Sequence, residues 1–240
     1  IVLFRIGVFI ISRIYSYDSS PYLIKGMKDG RKSEVIRQDP KFKDSVTVLR
    51  SVNENDGLEF TWSTWLFIDD IDYLSDQHKH IFHKGNHNIQ MNGDNENMNG
   101  VNFPNNAPGM YIRPNSNDIV VIMNTFSKIN ESVVVKNVPM SMWFNIMIRV
   151  QGKNVDIYIN GLAVVRNLLN DIPKQNYGDV YVSQNGGFSG KISNLKYFAR
   201  AVSISDINRI INNGPNMKTN NKYDDPVYPP YLSLRWFLNN

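Results

Sequence analysis

The chain has 240 residues, a length that allows one large β domain or two small ones and a hydrophobic core that needs no covalent cross-links. It contains no cysteine, which excludes a disulfide framework, a thiolate metal site and a cysteine nucleophile. The net charge is +4, but the basic residues are spread along the chain without interleaved aromatic residues, so the sequence predicts no nucleic-acid partner.

The chain begins with an apolar segment, residues 1–16, that is interrupted by Arg5. Three interpretations remain open for it: the end of a transmembrane anchor, a strand rich in Val, Ile and Phe, or a signal peptide, although no small-residue cleavage site follows. Residues 17–45 are predicted to form a linker or docking segment, and residues 46–240 a single β-sandwich domain with a docked C-terminal tail.

From residue 46 onward, apolar side chains recur at every second position, which is the period of a β-strand. In "LEFTWSTWLFI" one face carries apolar side chains and the other a mixed set, as in a sandwich strand. The first face consists of Phe60, Trp62, Leu66 and Ile68, and the second of Glu59, Thr61, Ser63, Trp65 and Phe67. Further strands are predicted at "HIFHKGN", "MYIRP", "DIVVIMN", "SVVVKNV", "DVYVS" and "KISNLKYF".

All four histidines lie within ten residues, at positions 78, 80, 83 and 87, and clustered histidines can hold zinc. Strict alternation along a strand would place His78 and His80 on one face and His83 on the other. His78 and His80 are therefore the candidate zinc ligands. The alternative is a hydrated strand edge with no metal. Residues 92–109 show no periodicity and are predicted to form a long loop.

The clearest unit is residues 143–166, which the alternation predicts to be a three-stranded antiparallel meander. Val155, Ile157 and Ile159 are expected to point inward. Asn160-Gly161 predicts a type I′ turn, because both central residues of that turn need positive φ.

The glycine-rich stretch "NGGFSGKISNLKYF" is tested first as a phosphate-binding loop. Such a loop needs a glycine five residues before its Gly-Lys and a Ser or Thr after the Lys, but Asn185 and Ile192 occupy these positions. The glycines are therefore predicted to allow positive φ and close backbone approach before a strand, while Phe188 fills the core.

One short helix is predicted near residues 203–213. Ser203 is expected to cap it with Asp206 in its first turn, and Gly214-Pro215 to end it. Its apolar stripe is predicted to contain Ile204, Ile207, Ile210 and Ile211. The tail "PVYPPYLSLRWFLNN" is too apolar to be free and is predicted to dock as a last strand. Together, these elements predict an all-β fold, a sandwich of two antiparallel sheets.

The order of these motifs resembles that of a known family. The string Gly-Phe-x-Gly-x-Ile-x-Asn-Leu-x-Tyr, the "RAVS" turn and the short helix resemble the end of a concanavalin A-like jelly roll of the laminin-G type. Upstream, "EFTWSTWLFI", "KHIFHKG" and "APGMYI" stand in the family's order. The head "YLIKGM" and the tail "PPYLSLRWF" are similar to those of laminin-G-like proteins of large nucleocytoplasmic DNA viruses. The resemblance covers roughly residues 20–240.

The resemblance implies a non-enzymatic structural or adhesive protein. Many of the similar viral proteins carry an N-terminal membrane anchor, so the chain is expected to be a minor capsid or membrane-associated virion protein. Its partners would be other capsid proteins and, through residues 1–16, a membrane. Its place would be between the internal membrane and the capsid shell, or at the particle membrane.

A lectin-like attachment module is the alternative function. Sugar sites on this fold use loop Asp and Asn residues, often with Ca²⁺, and Asp94, Asn95 and Glu96 are the candidate calcium ligands. Four aromatic side chains are candidates for stacking on a sugar, unless they belong to the core: Trp62, Trp65, Trp143 and Tyr111. No cofactor other than this calcium is predicted.

Hydrolase activity is not expected. Jelly rolls of this type include β-glucanases, whose chemistry needs two carboxylates on either side of the scissile bond. The nearest match to their alternating acids is "DDIDY", residues 69–73, which has no Glu, while Glu59 and Asp156 stand alone on their strands. No catalytic residue is therefore predicted.

Overall fold

The computed structural model of the chain describes residues 4–7, 18–51, 53–54, 57–91 and 98–219. Thirteen strands are present in this part. In chain order the first seven are β1 (Met27–Asp29), β2 (Glu34–Ile36), β3 (Asn53–Glu54), β4 (Gly57–Asp70), β5 (Lys79–Gly85), β6 (Gly109–Ile112) and β7 (Ile119–Met123). The remaining elements are β8 (Glu131–Val135), β9 (Trp143–Gln151), β10 (Asn154–Ile159), β11 (Leu162–Leu168), β12 (Asp179–Val182), β13 (Ser189–Phe198) and helix α1 (Ile204–Asn213).

The strands form two antiparallel sheets, which confirms the predicted sandwich. The large sheet has the order β1-β13-β4-β9-β10-β11, with β3 also paired to β4, and the small sheet has the order β2-β12-β5-β6-β7-β8. The predicted apolar face of β4 meets apolar residues of the small sheet in one core. Trp62, for example, stacks on Phe82 with ring centroids 5.2 Å apart.

The segment 17–45, expected to be a linker or docking segment, contributes a strand to each sheet. β1 pairs with β13 and β2 with β12, and Leu23 and Ile24 are buried in the core. Of residues 1–16, the structure describes only residues 4–7, as one helical turn, so the predicted anchor or strand lies outside the described residues. Within the described part of the chain, no helix combines the length and the apolar character that crossing a bilayer requires.

The meander over residues 143–166 is confirmed as β9, β10 and β11. Asn160 and Gly161 have φ values of 49° and 81°, as the predicted type I′ turn requires. Val155 and Ile157 are buried, and Ile159 packs against the core. The alternation therefore identified the inner face of the large sheet correctly.

The glycine-rich stretch belongs to the sheet architecture, as predicted. Gly187 has a φ of 58°, and a Cβ added there would collide with the backbone carbonyl of Gly30. The Phe188 amide donates to that same carbonyl at 3.0 Å, and the Phe188 ring is fully buried. The glycine thus lets the segment before β13 approach the turn after β1, which places Phe188 between the sheets.

Helix α1 begins and ends where the sequence predicts. Ser203 and Asp206 form a reciprocal capping box, and Gly214 follows the last helical residue with a φ of 67°. The predicted stripe is wrong in one member, because Ile204 is 77% exposed. Ile207 is buried, and it packs with Met147 on the outer face of the large sheet.

The predicted docking of the apolar tail falls on residues 220–240, which lie outside the described part. The described chain ends at Thr219, which makes a parallel bridge with Met27 at the edge strand β1.

Candidate functional site

The predicted calcium ligands, Asp94, Asn95 and Glu96, lie outside the described residues. The part of the loop that follows them packs over the outer face of the small sheet. Val101 is buried there beside Tyr111 and Ile122, and the Val101 carbonyl accepts from the Gln90 amide at 2.9 Å. The loop therefore covers a face that an uncovered sandwich would leave in water.

The histidines of β5 lie under this cover. His80 Nε2 and His83 Nδ1 are 2.6 Å apart, and both side chains are almost fully buried. The prediction that His83 faces away from His80 is wrong, because the pairing of β5 with β6 shifts by one residue between His80 and Phe82. This bulge returns His83 to the side of His80. The alternative of a hydrated edge is wrong as well, since β5 lies inside the sheet between β12 and β6.

Hydrogen bonding fixes the tautomers of the two rings. The Gln184 amide donates to His80 Nδ1 at 3.0 Å, so His80 Nε2 carries the proton and donates to His83 Nδ1. His83 Nε2 then donates to the Asn86 carbonyl at 2.9 Å. Burial lowers the pKa of His80 well below its usual range and that of His83 to about 4, which keeps both rings neutral at neutral pH.

This chain of hydrogen bonds leaves neither ring a free lone pair for a metal. The other predicted zinc ligand, His78, directs Nδ1 to the Asn99 carbonyl at 3.0 Å. No group of three or more potential ligands that could hold a metal occurs among the residues that the structure describes. A zinc site at His78 and His80 stays a prediction of the sequence.

A network of amides extends this buried polar layer. Tyr111 donates from its hydroxyl to Asn106 Oδ1 at 2.7 Å, and it accepts from the Asn102 amide at 3.2 Å. Asn106 Nδ2 donates to the Asn102 carbonyl and to Asn130 Oδ1, at 2.7 and 3.1 Å. Burial raises the pKa of Tyr111. We call His80, His83, Tyr111 and Asn106 the buried polar layer.

Most of the candidate sugar-stacking residues are not available to a sugar. Trp62, Trp65 and Tyr111 are each at most 7% exposed, and Trp62 is a core residue, as its place in the alternation predicts. Trp143 is half-buried and packs against Phe67 with ring centroids 5.8 Å apart.

The two isolated strand carboxylates bind protein donors. Asp156 is held by Arg166 Nε at 2.6 Å and by Arg149 at 3.2 Å. Glu59 accepts from Gln151 Nε2 at 3.0 Å and from the Ala201 amide at 3.2 Å. Both acids thus hold structure on the outer side of the large sheet.

A cavity of about 720 Å³ opens between the two sheets at one end of the sandwich. Its apolar wall includes Leu58, Phe60 and Trp62 of β4. Lys84 and Tyr197 line it from the small and the large sheet, respectively. The sequence pattern does not indicate this cavity, because inward-facing residues are normally expected to fill the space between two sheets.

Strand β11 carries apolar side chains into solvent. Leu162 is 73% exposed, Val164 48% and Leu168 68%, and we call these three residues the apolar edge. β11 is the last strand of the large sheet, and β10 is its only strand partner among the described residues. The register between β10 and β11 shifts beside Ile157, which breaks the alternation along β11.

Comparisons with known proteins bear on the fold. No protein-family model matches the chain, and no curated protein matches it either. Two similar solved structures are the receptor binding domain of botulinum neurotoxin D and a tryptophan-to-alanine mutant of HCR/D, at 14% and 16% identity. Each alignment covers 80% of this chain and 52% of the other, with a TM-score of 0.50. The chain spans about half the length of these solved domains, and at such identities the likeness shows the fold alone.

Proposed function

We propose that this chain is a non-enzymatic adhesive module that binds another protein through the apolar edge. The single observation that carries the proposal is the exposure of Leu162, Val164 and Leu168 on a strand that ends its sheet. The exposed apolar side chains lie along one strand, and an edge strand offers unpaired backbone groups to a partner that pairs with it.

Further exposed apolar side chains occur after β11 in the chain and in the loop that is hydrogen-bonded to this segment. Ile172 is 42% exposed, and its carbonyl accepts from the amide of Phe126, which is 67% exposed. Burying side chains of this size in an interface contributes roughly 1.5–3 kcal/mol each at full burial.

The resemblance to laminin-G-like proteins of large DNA viruses supplies the biological setting of the proposal. In that setting the chain is a minor capsid or membrane-associated virion protein, located between the internal membrane and the capsid shell or at the particle membrane. Its partner at the apolar edge is then another capsid protein, and residues 1–16 contact the membrane. A similar solved domain is named as receptor binding, which supports a binding role over an enzymatic one.

The test is site-specific photocrosslinking in virus particles that contain the chain. A benzophenone amino acid at Val164 is expected to crosslink to one capsid protein. The matched control is the same amino acid at Asn212, on the exposed side of α1, and it is expected to give no such product. Leu162→Ser combined with Leu168→Ser should abolish the crosslink from position 164.

Two outcomes contradict the adhesive proposal. One is the absence of the chain from purified particles. The other is saturable binding on a glycan array, or in calorimetry with Ca²⁺, that the two serine substitutions leave unchanged. The second outcome would favour the lectin-like alternative.

A further inference from the structure

The interlayer cavity has the size and lining of a small-molecule site. Its volume of about 720 Å³ lies within the range of roughly 300–1,000 Å³ that ligand pockets occupy. Apolar side chains from both sheets and their connecting loops line most of it, and five charged or amide side chains and two tyrosine hydroxyls supply the polar groups. Such a lining favours a ligand whose body is apolar.

One wall of the cavity carries a buried hydroxyl that has no partner. Tyr197 is 1% exposed, and its hydroxyl makes no hydrogen bond within the described residues. The Gln175 side chain lies near this hydroxyl and partly opposes the rise in its pKa that burial causes, but it makes no hydrogen bond of standard geometry with it. A buried hydroxyl without a partner is unfavourable, so a ligand atom that accepts its proton would bind with a gain in free energy.

The opposite wall carries a buried ammonium group without a counter-ion. Lys84 is 6% exposed, and its Nζ donates to the Asn176 and Gly178 carbonyls at 2.8 and 2.7 Å. No carboxylate of the described residues lies within ion-pair distance of it. Carbonyl dipoles satisfy its hydrogen bonds, but the positive charge remains uncompensated. Burial accordingly lowers the pKa of Lys84 to about 8, against the opposing effect of Asp179.

The charged side chains among the described lining residues of the cavity have one sign. Besides Lys84, the described lining residues include Arg50 and Lys174, which are exposed at the mouth, and they include no Asp or Glu. Positive groups thus extend from solvent to the inner wall. This distribution attracts an anion and disfavours a cation of the same shape.

We propose that the interlayer cavity binds a long-chain carboxylate of the fatty-acid type. The carboxylate lies between Lys84 and the Tyr197 hydroxyl, and the hydrocarbon chain runs along Leu58, Phe60 and Phe126 toward the mouth. The carboxylate supplies both missing partners, a negative charge for Lys84 and a hydrogen-bond acceptor for Tyr197. Leu162, Val164 and Leu168 do not line the cavity, so this proposal does not depend on protein binding at the apolar edge, and it stands if that proposal fails.

The first test uses the full chain and three probes of equal chain length in isothermal titration calorimetry below their micelle concentrations. Dodecanoate is expected to bind saturably with a stoichiometry of one. Dodecanol should bind at least about tenfold more weakly, because it lacks the charge, and dodecyltrimethylammonium should not bind. Equal affinity for dodecanoate and dodecanol, or no saturable binding of dodecanoate, would overturn the proposal.

The second test uses variants to locate the carboxylate of the bound ligand. Lys84→Met keeps an unbranched side chain but removes the charge, and it should weaken dodecanoate binding at least about tenfold while leaving dodecanol binding unchanged. Tyr197→Phe should weaken dodecanoate binding by a smaller factor. The control is Lys136→Met, at an exposed lysine outside the cavity, which should leave the affinity unchanged.

The comparison of the three probes uses only the parent chain, so it remains valid even if Lys84→Met does not fold. Tyr197→Phe, which removes one atom, gives a second and milder perturbation. If both variants keep their near-ultraviolet circular dichroism and bind dodecanoate as tightly as the parent chain, the proposed site is wrong.

Discussion

The buried polar layer and the apolar edge reverse the usual distribution of side chains. The layer contains two histidines, a tyrosine and an asparagine that are at most 1% exposed, whereas the edge exposes two leucines and a valine. Polar residues are mostly exposed in proteins, and leucine and valine are among the residues most often buried. Polarity therefore does not decide burial at either place.

The difference lies in what covers each region. The segment after residue 97 packs on the outer face of the small sheet, and its amides and carbonyls supply partners for the polar groups beneath it. At β11 the sheet ends, and within the described chain no further strand pairs with its outer side. A buried polar group is stable when it is hydrogen-bonded, and an exposed leucine gains when a partner covers it.

The largest expected effect comes from removing the central amide of the buried polar layer. Asn106→Ala removes the acceptor of the Tyr111 hydroxyl proton and the donor to the Asn102 carbonyl and to Asn130 Oδ1. The free energy of unfolding is expected to fall by about 3 kcal/mol, since each unsatisfied buried group costs roughly 1–3 kcal/mol. Urea unfolding at pH 7 measures this change.

Asn212→Ala, on the exposed side of α1, is the control and should change stability by less than about 0.5 kcal/mol. A loss below about 1 kcal/mol for Asn106→Ala would show that water replaces the lost partners.

Acid is expected to weaken the buried polar layer next. The pKa of His83 is about 4 in the folded chain, below its value of about 6.5 when unfolded, so the unfolded state takes up the proton first. The contribution of neutral His83 to the free energy of unfolding is complete above about pH 6.5, and it is lost as the pH falls toward 4. His83 alone should reduce the free energy of unfolding by about 2 kcal/mol between pH 7 and pH 5.

Urea unfolding of the parent chain and of His83→Gln at both pH values isolates the contribution of His83. The carboxylates also titrate in this range, but they do so in both chains, so their effect cancels in the comparison. The fall in stability between pH 7 and pH 5 should be smaller in the variant. An equal fall in the two chains would mean that His83 is protonated in the folded state without penalty.

The smallest expected effect is at the apolar edge. Leu162→Ser combined with Leu168→Ser should change the free energy of unfolding by less than about 0.5 kcal/mol, since these side chains meet solvent in the folded as in the unfolded chain. Thermal and urea unfolding of the isolated protein measure this change. A loss above about 2 kcal/mol would show that the two leucines pack inside the isolated chain, and the contrast between the two regions would disappear.

Much of the fold could be predicted because its determinants are local. The alternation in β4 and β10 identified the inner face of the large sheet, Asn160-Gly161 fixed a tight turn, and Ser203 with Asp206 marked the start of α1. Each of these depends on side-chain period, backbone dihedral angles or a capping bond within a few residues. The prediction for Ile204 was wrong because the helical period assigns a residue to one face of the helix but does not indicate how far along that face the sheet covers it.

The candidate sites could not be predicted in the same way. The one-residue bulge in β5, which brings His83 to His80, appears only when β5 is paired with β6. The exposure of Leu162 and Leu168 follows from the position of β11 at the end of the sheet order, and the cavity follows from the separation of two layers whose facing residues are far apart in the chain. The sequence by itself determined which residues form strands, turns and the helix. The tertiary structure decided which of those strands are covered, because coverage depends on contacts between distant segments and on hydrogen-bond partners that these segments bring with them.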